Sequence, residues 1–453
     1  MTAEGIGTRF VGRERELDEL TALLERAAGG RGRLVLVGGE PGIGKSRLAS
    51  ELSQIATERG ASVLWGRGWE DAGAPPYWPW VQALRAYIRS TPPGEVRRYL
   101  GVGATDIAQM MPELRDLIPD LAAAPDGMSE SARFRLFDST TTLLRNASQT
   151  RPILIVLDDL QSADAPSILL LRFLATQLDD MAVMVLGTYR DVELTPVHPL
   201  TLTIDRIGHE PGTRLMALTG LAANDVAEYI GRPDRTVHDP FVTAVWRATN
   251  GNPLFIGEAV RLLSSDGQLA RAEDPHALRV VVPPGVRAVI RRRIGQLDPA
   301  TIDALTLAAV IGPEFGLDVL RRVADLDREV IQVSIEEAVQ VGLLLAVPGS
   351  SGRYRFSHDL VRETLYDEVA PERRRRIHRQ IAGVLEARYL GSESGHLAEL
   401  AFHFVQAVEP SFNETSDPDH QEIVQKAIDY ARRAGDEAAR SIAYEEAIRL
   451  YAM

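Results

Sequence analysis

The segment Arg33-Leu-Val-Leu-Val-Gly-Gly-Glu-Pro-Gly-Ile-Gly-Lys-Ser-Arg-Leu-Ala-Ser-Glu-Leu52 constrains this chain more than any other. Arg33 to Val37 is a β-branched and leucine run, suited to a strand buried on both faces of a parallel sheet. Gly39 to Ser46 then matches G-x-x-x-x-G-K-[ST]. Glycines at Gly39, Gly42 and Gly44 let backbone N–H groups turn inward on an anion with no Cβ in the way. At this spacing Lys45 reaches β- and γ-phosphates, and the Ser46 hydroxyl is a Mg²⁺ ligand. Leu48, Leu52 and Ile55 recur at helical spacing, so a helix points its N-terminus at the same anion. Strand, loop and helix together predict an α/β P-loop NTPase core, a parallel sheet with flanking helices.

Two further strands carry chemistry at their carboxyl ends, the edge where open α/β sheets bind ligands. Ile153 to Leu157 ends in Asp158 and Asp159. Asp158 suits a Mg²⁺ carboxylate and Asp159 a group that positions or deprotonates water; capping the next helix is the alternative for the pair. Ala182 to Gly187 continues into Thr188, Tyr189 and Arg190. Arg190 either contacts a γ-phosphate or is an ordinary surface arginine.

Composition narrows the classes. The 453 residues allow about three domains, and a net charge of −13 argues against tight non-specific nucleic-acid binding. With no cysteine, disulfides and thiol chemistry are excluded. Met1 to Phe10 show no basic segment followed by an apolar stretch and no apolar run approaches the ~18 residues of a membrane span, so a cytoplasmic protein with no secretory signal and no membrane contact is expected.

Beyond the core, Asn224 to Ile230, Pro240 to Thr249 and Pro253 to Leu263 read as a helical lid. Helices are expected from Asp298 to Ile311, Leu317 to Val323 and Asp327 to Val341, followed by a hairpin around Pro348-Gly-Ser-Ser-Gly352, which makes a winged helix. Its third helix carries Glu329, Glu336 and Glu337 against Arg328, so it is not expected to read DNA. The basic runs Arg291–Arg293 and Arg373–Arg376 read as solvated faces or as contacts to DNA or another domain. Ile423 to Ala434, a turn at Gly435–Asp436, and Glu437 to Met453 read as a tetratricopeptide-type helix pair. Such a pair needs neighbours to bury its face, so a truncated array is expected. The expected divisions are 1–221, 222–282, 283–370 and 371–453. The aromatic, proline-rich Gly73-Ala-Pro-Pro-Tyr-Trp-Pro-Trp80 fits no role in this scheme beyond an internal lid or partner surface.

In order, these motifs resemble the STAND class of signalling ATPases, relatives of the NB-ARC and NACHT switches, and within it the large ATP-binding LuxR-type bacterial transcription regulators. RFVGRERELDEL, Arg9 to Leu20, is similar to the opening segment that packs near the adenine, which implicates Val11, Gly12 and Arg13. GEPGIGKS and LIVLDDLQSAD correspond to the Walker motifs, so the resemblance counts Gly39, Pro41, Gly42, Ile43, Gly44, Lys45, Ser46 and Arg47 as nucleotide-binding. GTYRD carries the γ-phosphate sensor role onto Arg190, GNPLFIGEAV places Pro253 against the base, and FSHDLVRETLYDEV gives His358 an approach to the β-phosphate of ADP. From the residues alone, Asn252–Pro253 is a turn and His358 a core or helix-capping histidine. Ser162 departs from the family, where tryptophan is frequent. The resemblance implies ATP/ADP and Mg²⁺ as cofactors, slow hydrolysis, self-association in the ATP form, and an inducer or protein partner on the helical array. DNA contact would come only through a domain beyond this sequence. The alternatives are a continuously cycling remodelling ATPase, a regulatory module of a cyclase or kinase, and a binding module in which the nucleotide is structural.

Overall fold

The computed structural model describes residues 10–69, 73–121, 130–230, 240–265, 286–324, 327–347, 350, 352–391, 393, 395–408 and 418–453. Arg9, the end of the lid stretch and most of Pro348–Gly352 lie outside the described residues. The chain divides into two compact units. One holds Arg13–Glu40, Gly44–Leu218 and Ala431–Met453; the other holds residues 10–12, Pro41–Ile43 and Thr219–Tyr430.

The first unit is an α/β P-loop NTPase core built on a five-stranded parallel sheet. Its strands are β1 (Arg33–Gly38), β2 (Ser62–Arg67), β3 (Ile153–Asp158), β4 (Val183–Tyr189) and β5 (Thr213–Ala217), in spatial order β2-β3-β4-β1-β5. Leu34 to Val37 and Ile153 to Leu157 are at most 1% exposed, as strands covered on both faces require. Because β4 is inserted between β1 and β3, the carboxyl ends of all three lie side by side. Register pairs Val37 with Thr188 and Arg67 with Asp158, which brings the second strand's last residue to the same edge. Flanking helices include Lys45–Glu58 directly after the loop and Ala165–Ala175 after β3, the latter capped by the Asp164 carboxylate accepting from Ser167 N.

One helix boundary differs from expectation. The helix Pro418–Arg440 runs straight through Gly435 and Asp436, and the turn falls at 441–443 before Tyr444–Tyr451. Gly435 is a mid-helix groove: a Cβ there would lie 2.3 Å from the Tyr451 ring, whose hydroxyl donates to Asp436 at 2.6 Å. A helical glycine costs about 1 kcal/mol relative to alanine, and here the space it leaves seats an aromatic ring.

In the second unit the helices Ala223–Tyr229, Pro240–Thr249 and Pro253–Ser265 share an apolar core that includes Val226, Val242 and Ile256. Further along come Val286–Ile294, Pro299–Ile311, Leu317–Val323 and Arg328–Gln340. These pack on a small antiparallel sheet of β6 (Glu314–Gly316), β7 (Leu344–Ala346) and β8 (Arg353–Phe356), ordered β6-β8-β7 around Phe315 and Phe356. The basic runs are largely engaged internally. Arg293 makes a buried ion pair with Glu258, Arg291 meets Glu368 at 2.7 Å, and Arg373 meets Asp303 at 2.9 Å. Arg374 lies over the Tyr366 ring at 4.2 Å.

Next to Tyr366, His378 of Pro371–Tyr389 and His403 of Leu397–Ala407 join Nδ1 to Nδ1 at 2.9 Å. One ring must donate and the other accept, so the two cannot both be protonated twice. Burial, then Arg374, pulls His378 down to about 4, and burial, then His378, pulls His403 well below its ordinary value. The folded state therefore refuses protons that the unfolded chain accepts below about 6.5. Stability should be complete above that pH and fall as pH drops towards 4, by about 3 kcal/mol for His378 with a further loss from His403. Melting temperature against pH should show this slope, and His378→Phe combined with His403→Leu should flatten it.

Candidate functional site

The P-loop lysine and serine stand where β1 passes into its helix. Gly44, at φ +105°, is the residue before Lys45, and a Cβ on it would enter open space. Lys45 is buried, and its Nζ donates to Gly39 O at 2.7 Å and Glu40 O at 3.0 Å. Burial lowers its pKa, opposed chiefly by Asp159. Ser46 Oγ donates to the Asp158 carboxylate, 2.9 Å from Oδ1 and 3.0 Å from Oδ2. Thr188 Oγ1 donates to Asp158 Oδ1 at 2.5 Å and accepts from Asp159 N at 3.1 Å. One hydroxyl on β4 thus fixes both aspartates.

Asp159 has φ +56°, the left-handed region that aspartate tolerates better than most residues. The turn directs the two carboxylates to different partners. Arg67 donates to Asp159 Oδ2 through Nε and Nη2 at 2.9 and 2.7 Å. Gln161 Nε2 donates to Oδ1 at 3.1 Å, and Arg190 Nε lies 3.7 Å from the same oxygen. Arg190, 4% exposed, also donates to Glu193 at 2.7 Å, and its backbone N–H donates to Gln161 Oε1 at 3.0 Å. Burial raises Asp158, reinforced by the neighbouring Asp159 charge. Burial also pushes Asp159 up, but Arg67 and Arg190 outweigh it and hold this carboxyl below its ordinary range. Asp159 is the better stabilised anion of the pair, and a cation beside Asp158 would offset the burial that raises it.

The donor set fits Mg²⁺ and a nucleotide phosphate. A hydroxyl and a carboxylate oxygen already within 3.0 Å of each other are hard ligands of the kind Mg²⁺ takes. Among the described residues no cluster of three or more His, Cys, Asp or Glu could hold a metal. The remaining ligands would then be phosphate and water, as is usual for Mg²⁺ at phosphate sites.

The other predicted residues are placed differently. Arg13 donates to Glu16 at 3.2 Å, and Arg47 pairs with Glu51 at 2.7 Å on the exposed face of its helix. In the second unit, Asn252 Nδ2 donates to Pro41 O at 3.0 Å, while its Oδ1 accepts from Leu254 N at 3.1 Å. Gly42, at φ +77°, leaves the room that Leu254 fills, since a Cβ would come within 2.5 Å of it. Ile43 and Val11 are buried, and a Cβ on Gly12 would meet the Asp225 carboxyl at 2.7 Å. Pro253 opens the helix Pro253–Ser265. His358 is exposed, precedes the helix Asp359–Asp367, and makes no side-chain cap bond. Sequence reasoning missed Arg67, Gln161 and Thr188 as site residues. The strand run Ser62–Arg67 ending in an arginine, and a glutamine two residues after Asp159, were the available signals.

Residues 9–186 match the family model of the AAA ATPase domain, whose general chemistry is nucleotide binding and ATP hydrolysis. An uncharacterized protein of Rhizobium meliloti (strain 1021) is 23% identical over 87% of this chain and 39% of its own length. Among solved structures, a STAND protein with a tetratricopeptide repeat sensor from Pyrococcus horikoshii superposes with a TM-score of 0.54 at 15% identity. That superposition covers 99% of this chain and 59% of the other. Pyrobaculum aerophilum Cdc6p matches at 0.37 and 13% identity over 81% of this chain and 97% of its own, too distant to argue from. The chain spans less than two thirds of the length of each of the two relatives named first.

Arg67→Ala should leave Asp159 buried beside a single guanidinium. Because Arg67 is itself over a third exposed, the stability loss should be about 1–2 kcal/mol rather than the 3–5 of a fully buried pair. Losing a cation raises both carboxyls, so the acidic limb of the ATPase pH profile should move to higher pH. An unchanged profile would contradict this electrostatic assignment.

Proposed function

We propose that the chain is an ATP/ADP-dependent switch, the ATPase module of a bacterial transcription regulator, with slow hydrolysis returning an ATP-bound active form to an ADP-bound closed one. The observation that carries this reading is the buried linkage of Arg190, Asp159 and Gln161, in which the candidate sensor arginine is held by acceptors that a γ-phosphate would compete with. In this reading Lys45 and Arg190 hold the β- and γ-phosphates, Ser46 and Asp158 hold Mg²⁺, and Asp159 orients the attacking water. Bound Mg²⁺ would neutralise phosphate charge and favour the ionised Asp158.

Moving a two-state equilibrium from 1:99 to 99:1 takes ~5.5 kcal/mol. Hydrogen bonds to charged groups contribute about 1.5–3 kcal/mol each, so two or three nucleotide-dependent contacts suffice. Val11, Gly12, Arg13, Pro253 and His358 enter as adenine and ADP contacts on the motif resemblance. The helices 299–340 with the β6-β8-β7 sheet support a winged helix. The exposed Glu329 and Glu336 on its third helix disfavour DNA reading there. The rival is a continuously cycling remodelling ATPase.

Denatured, purified protein should release ADP. Its mass should be that of a monomer with ADP and should rise with a non-hydrolysable ATP analogue. Turnover of many per second, with mass independent of nucleotide, would favour the rival.

A further inference from the structure

The proline- and tryptophan-rich stretch Gly73–Trp80 has no part in the phosphate chemistry. In the α/β unit it walls a cavity of about 410 Å³, within the ~300–1,000 Å³ range of small-molecule sites. No P-loop residue lines it. Trp78 and Trp69 line one part, Gln161 and Asp164 another, and Glu445, Glu446 and Arg449 of the last helix a third.

The wall is rigid. Tyr77 is wholly buried at φ +62°, and its hydroxyl donates at 3.1 Å to the carbonyl of Ile442, itself at φ +60°. Positive φ is strained for both, for the β-branched isoleucine above all, and strain of this kind persists where the surroundings over-determine it. Asp164 accepts from Tyr77 N at 3.2 Å and Ser167 N at 2.9 Å, and Trp80 Nε1 donates to Ser167 O at 3.0 Å.

Its chemistry is specific. Trp78 Nε1 and Glu445 Oε2 are buried without a hydrogen-bond partner, although the other Glu445 oxygen accepts from Arg133 at 2.8 Å. Each is an unmet hydrogen-bonding capacity on a residue that lines the cavity, one a donor and one an acceptor, and the Glu445 side chain is 39% exposed. Three carboxylates line the cavity against Arg449, which is already doubly bonded to Glu446 at 2.9 and 2.5 Å. Arg133 and Arg449 pair Glu445 and Glu446, so the carboxylate of the lining not matched by an arginine is Asp164, and the Arg85 guanidinium 5.7 Å from the Trp78 ring centre shows that this indole accepts a cation. Gln161 both lines this cavity and bonds Asp159 and Arg190, so a ligand that moves its amide acts on the nucleotide site.

We propose that this cavity binds a small organic cation, an amine on a flat apolar body with an oxygen acceptor, and that occupancy biases the nucleotide site through Gln161. The coupling rests on the switch reading; the binding does not.

Calorimetry on the full chain with tyramine, the isosteric alcohol tyrosol and the near-isosteric anion 4-hydroxyphenylacetate tests it. Tyramine should bind at least about tenfold tighter than either, the value of one charged hydrogen bond. Glu445→Gln should weaken it by about the same factor, and Trp78→Phe, which keeps a ring and loses the N–H, by about threefold. Circular dichroism checks that both variants fold. Should Glu445→Gln misfold, Trp78→Phe and the isosteres decide. No saturable binding of tyramine or of agmatine, equal affinity for the three isosteres, or indifference to both substitutions would overturn the site. Tyramine affinity should then differ between ADP and ATP-analogue forms by a factor in the usual allosteric range of about 5–150. Equal affinities, with the mass response intact, defeat the coupling. Loss of the mass response with tyramine still bound defeats the switch reading and leaves the site standing.

Discussion

The buried Asp158 carboxylate, accepting from Ser46 and Thr188, is the interaction around which the α/β unit is organised. A lone buried carboxylate is untenable unless hydrogen-bonded or paired, so the sheet must bring hydroxyls to it. Inserting β4 between β1 and β3 does this, delivering Thr188 from one side while the P-loop helix delivers Ser46 from the other. The same insertion puts Arg190 beside Asp159, and β2 on the far side of β3 adds Arg67. Two adjacent aspartates become unequal: Asp159 is kept ionised by arginines, and Asp158 is held by neutral hydroxyls and poised for a cation. A site that holds a metal with one carboxylate and orients water with the next needs this asymmetry.

The left-handed turn at Asp159 is the local cost of that division. It brings Gln161 back to bond both Asp159 and Arg190. Gln161 is therefore the residue through which the phosphate site touches the tryptophan-lined cavity. On the proposed reading, the same short segment after β3 would serve the phosphate chemistry on one side and ligand binding on the other.

Much of this was legible in the sequence because it is local. The P-loop glycines, the apolar runs of β1, β3 and β4, and the Asp298 cap of the helix Pro299–Ile311 each depend on residues a few positions apart. Arg67 and Thr188 were not legible as partners of the aspartates, since their roles depend on which strands are neighbours, and strand order leaves no local trace. β6, three residues long, is too short for alternation to register. Gly435 misled because glycine in a polar stretch reads as a turn, whereas here its missing side chain accommodates Tyr451 from the following helix. The tryptophan-rich stretch offered no mechanism until the fold brought the chain's last helix against it.

The central claim is that Arg190 distinguishes ATP from ADP. The most direct measurement is the affinity of Arg190→Ala for Mg–ADP and for a Mg-bound non-hydrolysable ATP analogue, each against the unaltered protein. The account predicts ADP affinity within about twofold and analogue affinity lower by at least tenfold, the loss of one charged hydrogen bond of about 1.5–3 kcal/mol. Equal losses for both nucleotides would make Arg190 a structural support of Asp159 and contradict the claim.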